Sequence, residues 1–313
     1  MSTPIAAALT YIGISKEVTL GTPVAAPAFF IPANQPQPEQ IHERIRDEAY
    51  DNNISAIRGV YDGVADSTFD FDGPLYPDAF GYLLAATGLT DTKTGTGPVV
   101  HTFKLAAGAN QPPSYTLYHF NGVEVRAYPG MMLDSLEVKI GATGMVTYSA
   151  KWKGWKSSTV TTPSAAFTAV KPFVGWQGAL TIGGATVDRL MEETITITRG
   201  VDTIHTINGS QSPSTTFAGQ LTVTRHQVFL FADNTEWNHL VNNDQNAVVT
   251  TIQQPAAGPS LVLTSTVTAW MKAPSARGQG AIMQLEADLE CVQNATDGGP
   301  IAAVLTNSIA TAY

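Results

Sequence analysis

Hydrophobic and polar residues alternate along several stretches of the chain, and this alternation predicts β-strands. In residues 133–140 leucine, valine and isoleucine recur at every second position, and residues 145–152 continue the same alternation. The segment between them, residues 141–144, begins and ends with glycine and is typical of a turn. Together these residues predict an antiparallel hairpin with one buried face.

The second half of the chain carries similar strand signals. Residues 194–198 alternate threonine with isoleucine, residues 260–272 are rich in β-branched side chains, and residues 281–292 intersperse apolar with polar positions. Threonine-rich and β-branched runs suit a pleated, half-buried surface. The chain is therefore predicted to be mainly β.

Few segments have the signals of a helix. Residues 77–87 begin with proline and are followed by Gly88, which is the expected polarity. Residues 224–231 hold a comparable cluster of large apolar side chains and predict a counterpart helix, and residues 234–241 predict a further short helix. A strand, a short helix and more strands are thus predicted in each half.

A short internal repeat relates the two halves. Residues 71–76 (Phe-Asp-Gly-Pro-Leu-Tyr) match residues 217–222 (Phe-Ala-Gly-Gln-Leu-Thr). Between the two copies, residues 157–172 are dominated by serine, threonine, alanine and proline without periodicity, which is typical of a boundary. We therefore predict two similar β-sandwich or barrel units, each with a short helix, in residues 1–160 and 161–313. The two units can share one continuous core.

The chain has few charges for its size. Only 14% of its 313 residues are charged, whereas about 25% is usual for soluble domains. A large surface with so few charges has to be covered by neutral polar residues or by contacts between subunits. The composition therefore favours extensive assembly.

The net charge of −9 is unevenly distributed. Residues 39–78 contain ten acidic residues against three arginines, a net charge of −7. This stretch is either a solvated loop or an acidic surface that repels nucleic acid, since phosphate binding needs clustered lysine and arginine. The ten candidate residues are Glu39, Glu43, Asp47, Glu48, Asp51, Asp62, Asp66, Asp70, Asp72 and Asp78.

Catalytic and ligand-binding motifs are not found in the sequence. A single cysteine, Cys291, excludes an intrachain disulfide and suits a buried thiol. The six histidines are scattered, and the Glu236 and His239 pair has no third ligand beside it. Neither a nucleophile elbow nor a phosphate-binding loop occurs. We therefore expect no enzyme activity, no cofactor and no metal site.

Tryptophans and the N-terminus bear on two further alternatives. Five tryptophans are spread through the chain, which suits packing better than a sugar-binding platform. Residues 1–8 lack the basic segment and the long apolar core of a secretory signal. No apolar run approaches the roughly 20 residues of a membrane helix. The sequence thus predicts a protein made in a cytosol, without membrane association.

The N-terminal segment resembles a known family. Residues 11–24 read Tyr-Ile-Gly-Ile-Ser-Lys-Glu-Val-Thr-Leu-Gly-Thr-Pro-Val, and an apolar segment follows at residues 29–32. Arg58-Gly59, Gly73-Pro74-Leu75 and residues 85–88 continue the pattern. Over its first 90 or so residues, the chain resembles the tail tube proteins of long-tailed double-stranded DNA bacteriophages.

The resemblance implies a structural virion protein that assembles in the host cytoplasm and is located in the virion tail. Tube domains of the family form stacked rings, in which inner strands of neighbouring subunits join around a channel for DNA and the tape measure protein. The tail terminator and distal tail proteins are the further partners implied, and DNA passes without specific binding. We expect part of the acidity of residues 39–78 to face this lumen or a joint between rings.

The ring stoichiometry follows from the predicted duplication. Family rings usually hold six tube domains, so three two-unit chains would complete one ring, and six chains per ring is the alternative. Residues 36–64 lack strong periodicity and predict a long acidic loop that reaches the adjacent ring. A different function, a receptor- or carbohydrate-binding β-sandwich module of a virion, stays open.

Overall fold

In the computed structural model, the structure describes residues 6–50, 52, 54–106, 111–274, 277–279 and 282–313. These residues form a mainly β fold, as predicted, with two α-helices and two short 3-10 helices at Ala7–Leu9 and Gly175–Gln177. The helices are α1 (Pro77–Ala86) and α2 (Thr235–Asn242). The strands are β1 (Tyr11–Lys16), β2 (Phe29–Ile31), β3 (Gln37–Asp47), β4 (Gly59–Pro74), β5 (Leu89–Thr94), β6 (Val99–Leu105), β7 (Tyr115–Phe120), β8 (Val125–Gly141), β9 (Thr147–Trp155), β10 (Ser158–Val160), β11 (Gly178–Ile182), β12 (Ala185–Val187), β13 (Leu190–Thr198), β14 (Val201–Ile204), β15 (Thr215–Ala218), β16 (Thr222–Leu230), β17 (Val248–Gln253), β18 (Ser260–Ser265), β19 (Thr268–Lys272), β20 (Arg277–Gln279), β21 (Ile282–Cys291) and β22 (Ala302–Asn307).

Eight antiparallel strands form the main sheet, in the order β3-β4-β9-β8-β13-β16-β21-β19, and the short strand β20 also pairs with β21. The hairpin predicted from residues 133–152 is the β8–β9 pair, and the turn lies between them as expected. Strand β8 is long: its first half pairs with β7 and β10 in a side branch that also holds β1 and β2, and its second half enters the main sheet.

The strand order of the main sheet repeats between the two halves of the chain. The first half contributes β3-β4-β9-β8 and the second half contributes β13-β16-β21-β19. In each group the strand that is fourth in the sequence lies third in the sheet, and the strand that is third in the sequence lies fourth. Because every neighbouring pair is antiparallel, the strand directions repeat as well. Helix α1 follows the second strand of its group, and α2 follows the second strand of the other.

This repeated order differs from the repeat seen in the sequence. The sequence match aligns residues 71–76 with residues 217–222, but the structure places Phe71 in β4 and Phe217 in β15, a strand of a separate two-stranded sheet with β14. The counterpart of α1 in the strand order is α2, which confirms the helix predicted at residues 234–241. The helix predicted at residues 224–231 is wrong: these residues lie mostly in β16, where burial alternates with a period of two.

A second sheet packs over the main sheet and completes a sandwich. Its order is β12-β11-β17-β18-β22-β6-β5, so β22 lies between strands of the two halves, and the group order of the main sheet is not repeated here. One hydrophobic cluster between the sheets includes Phe69, Phe80 and Leu136 from the first half and Ile195 and Leu305 from the second. The two halves therefore share a continuous core.

Residues 36–64, predicted as a loop, are mostly a hairpin. Strand β3 pairs with β4 as far as Asp47 and Gly59, although β9 accompanies β4 only from Asp66 onwards. The described residues between 42 and 65, here called the arm, therefore project beyond the main sheet. Most arm side chains are exposed on both faces, so the sequence lacks the alternation that identifies a half-buried strand.

Candidate functional site

The main sheet has one face in the core and one polar face. Along β4, Phe69 and Phe71 are buried, whereas Thr68, Asp70 and Asp72 point to the opposite side, because successive side chains of a strand alternate between faces. Residues paired across neighbouring strands lie on the same face, so the strand register identifies the members of the polar face from β3 to β19. The charged residues of the polar face are Glu39, Asp66, Asp70, Asp72, Glu137, Lys139, Lys151, Lys153, Glu192, Lys272, Glu286, Asp288 and Glu290.

The polar face is acidic and rich in hydroxyl groups. Its nine carboxylates and four lysines give a net charge of −5. Threonine and serine occupy most remaining positions, for example Thr194, Thr196 and Thr198 on β13 and Thr222 and Thr224 on β16. A surface of this kind repels phosphate groups and offers neutral hydroxyls between the charges.

Three of the four lysines on the polar face lie close to carboxylates. Lys139 Nζ is 2.8 Å from Glu192 Oε1, and Lys272 Nζ is 3.7 Å from Asp288 Oδ2. Lys153 Nζ donates to the carbonyl oxygen of Val201 and is 3.7 Å from Asp134 Oδ1. These cations are compensated locally, so the described part of the face presents no continuous basic track.

Asp70 and Lys151 carry opposite charges and lie across from each other on this face. They are cross-strand partners on β4 and β9. Burial raises the pKa of the Asp70 carboxyl, the charge of Asp134 raises it further, and Lys151 and a backbone hydrogen bond from Trp152 oppose this shift. Asp70 therefore carries its negative charge at a cost that its neighbours only partly offset.

The nine acidic candidates within the described residues lie in three different places. Four belong to the polar face (Glu39, Asp66, Asp70 and Asp72), four lie on the arm or its turn (Glu43, Asp47, Glu48 and Asp62), and Asp51 lies outside the described residues. Asp78 is buried at the start of α1, where it accepts a hydrogen bond from Thr168 at 2.8 Å. The polar face also includes acids of the second half, such as Glu286, Asp288 and Glu290, which the sequence does not mark as an acidic stretch because buried apolar residues alternate with them along β21.

The arm exposes apolar side chains on a narrow hairpin. Ile45 and Tyr61 are cross-strand partners and are 51% and 59% exposed, and Val60, Ile54 and Ile57 are exposed as well. Monomeric soluble proteins rarely expose apolar side chains in such a group without a partner.

The β14–β15 hairpin of the second half contacts the root of the arm. The backbone N–H of Ala65 donates to the carbonyl oxygen of Gln211 at 2.8 Å. Thr203 Oγ1 donates to Asp66 Oδ2 at 3.0 Å, and Lys156 Nζ donates to Gln211 Oε1 at 3.2 Å. These bonds fix the direction in which the arm leaves the sheet.

Further apolar side chains are exposed at the end of the sandwich opposite the arm. There β9 begins at Thr147 opposite Pro74, and β16 ends at Leu230 opposite Gln284. Near these strand ends the exposed side chains are Met145, Trp176, Leu230, Trp237, Val241 and Met283. The molecule thus has an apolar projection at one end and an apolar surface at the other.

The Lys-Glu-x-x-x-Gly-Thr-Pro-Val segment has a structural role. The buried carboxylate of Glu17 accepts hydrogen bonds from the N–H groups of Gly21 and Gly130, both at 2.9 Å. It also accepts bonds from the hydroxyls of Ser114 at 2.7 Å and Thr116 at 2.8 Å. Glu17 therefore joins the loop after β1 to β7 and to the bend of β8, which lies at Gly130, where φ is +64°.

The other candidate chemistry does not converge on a site. Among the described residues, no three His, Cys, Asp or Glu side chains are placed to hold a metal ion. Glu236 pairs with Arg189 at 2.9 Å and His239 with Asp244 at 2.8 Å, so the two do not act together. Burial raises the pKa of the Cys291 thiol. In the described part of the chain, neither helix has the length and apolar character to cross a membrane.

Comparison with known proteins agrees with the resemblance of the N-terminal segment. A family model described as phage tail tube protein matches residues 7–292. No curated protein matches the chain. The match extends the resemblance from the first 90 or so residues to nearly the whole sequence, and it confirms the family predicted from residues 11–24.

Proposed function

The chain belongs to the phage tail tube protein family and is a structural protein of the virion tail, and we propose that the polar face of its main sheet lines the tube channel. The observation that carries this proposal is the continuous eight-stranded sheet with an acidic, hydroxyl-rich face. A channel that DNA crosses without binding needs a surface that repels phosphate and has no basic track. The acidic residues of the polar face fit that requirement.

The edges of the main sheet support closure into a ring. Within the described residues, β3 pairs only with β4, and β19 pairs only with β21. Unpaired strand edges are prone to pair with another chain. In the proposed ring, β3 of one copy joins β19 of the next, and the heterologous contact closes by rotation.

The repeated strand order favours three chains per ring. Each chain supplies two groups of four strands with the same order and direction, so three chains supply six groups around the channel. Six chains per ring is the alternative arrangement. Native mass spectrometry of isolated rings distinguishes the two directly, because the ring mass is either three or six times 33.2 kDa.

The arm supports the stacking of rings. We propose that it contacts the apolar end surface of a copy in the adjacent ring, which carries Trp176 and Trp237. Such contacts would remove apolar side chains from water on both partners. The tape measure protein is then expected inside the channel, and the terminator and distal tail proteins at the two ends of the tube.

Electron microscopy of the purified protein tests the proposed function. Rings or tubes with a central hole are expected at high concentration. Compact isolated particles under the same conditions would contradict the proposal and favour a receptor- or carbohydrate-binding module.

A variant pair tests the role of the arm. Ile45→Asp combined with Tyr61→Asp places two charges on one face of the arm and is expected to leave rings that no longer stack into tubes. The control combines Val18→Asp with Val123→Asp, two exposed apolar residues outside the arm, and should form tubes. Full-length tubes from the arm variant would exclude this contact.

A further inference from the structure

A cavity of about 440 Å³ opens at the end of the sandwich from which the arm projects. It lies where β13 and β21 end and β16 begins, and the end of β6 forms its far wall. The side chains that matter for its chemistry are Arg199, Gln220, Thr222, Glu290 and Gln293. It is distinct from the centre of the polar face, although Thr222 and Glu290 contribute to both.

Arg199 is buried in this cavity without a partner. Its residue is only 8% exposed, and its Nε has no hydrogen-bond partner among the described residues. The described residues also place no carboxylate within ion-pair distance of its guanidinium. Burial lowers the pKa of Arg199, and no neighbouring negative charge opposes that shift. A buried guanidinium is costly unless it is paired.

A second buried arginine, Arg225 on β16, shows how such a charge is usually accommodated. Arg225 is fully buried, and its Nε is likewise unpaired among the described residues, but its Nη1 donates to Glu193 Oε1 and to Thr250 Oγ1, both at 2.9 Å. Its Nη2 donates to the carbonyl oxygen of Leu263 at 3.0 Å. Arg199 lacks such a set: its Nη1 lies near Gly88, just after α1, and its side chain lines the cavity.

The remaining lining is suited to an anion. Gln220, Thr222 and Gln293 bring amide and hydroxyl donors to the cavity. A planar guanidinium matches carboxylate and phosphate oxygens in a bidentate geometry. Glu290 is the one acidic side chain in the lining and is exposed to solvent. We propose that this cavity is an anion-binding site in which Arg199 holds a carboxylate or phosphate group.

The carboxylate or phosphate group bound by Arg199 has two alternative sources. One is a free anion such as inorganic phosphate. The other is a carboxylate of a second copy, because the cavity opens at strand ends that face another copy in the tube proposed above. This second source rests on the proposed function, whereas the first does not.

Thermal unfolding of the purified, unassembled protein tests binding. Inorganic phosphate and acetate are titrated separately against sodium chloride at matched ionic strength. The wild type is expected to gain melting temperature saturably with at least one of the two anions, and Arg199→Met should weaken the apparent affinity at least tenfold. Without added anion, Arg199→Met should be as stable as the wild type or more so, because it removes an unpaired buried charge. Arg199→Lys is a second variant if the methionine does not fold.

Two controls define what would overturn the proposal. Arg46→Met changes an exposed arginine of the arm and should respond to anions as the wild type does. Glu290→Gln should bind anions equally or more tightly, since it removes a negative charge at the opening. Equal responses of wild type and Arg199→Met, with unchanged tube assembly, would refute the anion site.

Assembly assays identify the source. If phosphate inhibits tube formation and Arg199→Met forms rings but not tubes, the anion is a carboxylate of another copy. If phosphate binds and Arg199→Met assembles normally, the site takes a free anion. If neither the wild type nor any variant assembles, the proposed function fails, while the unfolding data still decide whether the anion site exists.

Discussion

Glu17 is a single carboxylate on which three distant segments depend. Its four hydrogen bonds tie the loop after β1 to β7 and to the bend of β8. Glu17→Gln keeps the shape but turns one acceptor oxygen into a donor, which then faces other donors. We expect a loss of about 2–3 kcal/mol in the free energy of unfolding, measured by denaturant unfolding. Glu124→Gln, at a partly exposed carboxylate that bonds Arg126, should cost less than about 1 kcal/mol. Similar losses for both variants would exclude a special role of Glu17.

Asp70 on the polar face gives the free energy of unfolding a pH dependence of a sign that is unusual for an aspartate. Burial raises the pKa of this carboxyl in the folded state, so the folded chain binds a proton more readily than the unfolded chain. Ionised Asp70 therefore lowers stability above its folded pKa, and this penalty disappears as the pH falls through that value. Asp70→Asn should raise the free energy of unfolding at pH 7, and with it the melting temperature. The gain should be less than about 1 kcal/mol because water screens the group. The gain should shrink on acidification. Asp72→Asn, at an exposed neighbour on the same face, is the control; a gain independent of pH would contradict the assignment.

At the scale of the strand and helix, burial decides what the sequence reveals. The β8–β9 hairpin was predictable because one of its faces is in the core and the other is polar. The arm was not, because both of its faces are exposed and leave no period. At residues 224–231 the cluster of large side chains at 229–231 suggested a helix. In the structure every second residue of β16 is buried instead, among them Val223, Arg225 and Phe229. The polar face of the second half was missed because threonine carries little chemical signal.

The contact between the β14–β15 hairpin and the arm predicts a measurable coupling. Thr203→Val combined with Lys156→Met removes two side-chain bonds at the root of the arm. Hydrogen exchange in peptides covering residues 59–70 should accelerate several-fold, including the amide of Ala65, because its bond to Gln211 loses its support. Thr159→Val with Lys104→Met removes a similar pair of bonds elsewhere and should leave these peptides unchanged. Unchanged exchange in the first variant would mean that the backbone bond suffices.

At the scale of the whole molecule, the two halves contribute to one acidic surface. Asp72, Glu137 and Glu290 lie in one register row across the sheet, connected through Ser149, Thr196 and Thr224. In the proposed tube, replacing all three with lysine creates a basic band around the channel.

Tubes of this triple variant should retain DNA at low salt and release it as salt rises, whereas wild-type tubes should not bind it. The measurement is co-sedimentation of tubes with DNA over a salt series. Changing Glu124, Asp188 and Asp244 to lysine gives the same change in charge off the polar face and should bind less DNA in the channel. Equal retention by both variants would argue against a channel lined by this face.

The position of β22 also constrains the order in which the chain folds. Its residues pair with β18 on one side and with β6 on the other, where Ala303 lies opposite Phe103. Loop closure over such separations is slow compared with forming a local hairpin. The second sheet cannot close until residues 302–307 have left the ribosome, so until then a nascent chain carries an incomplete sandwich. Completion of the sandwich therefore depends on a strand that is made long after β6, its partner from the first half.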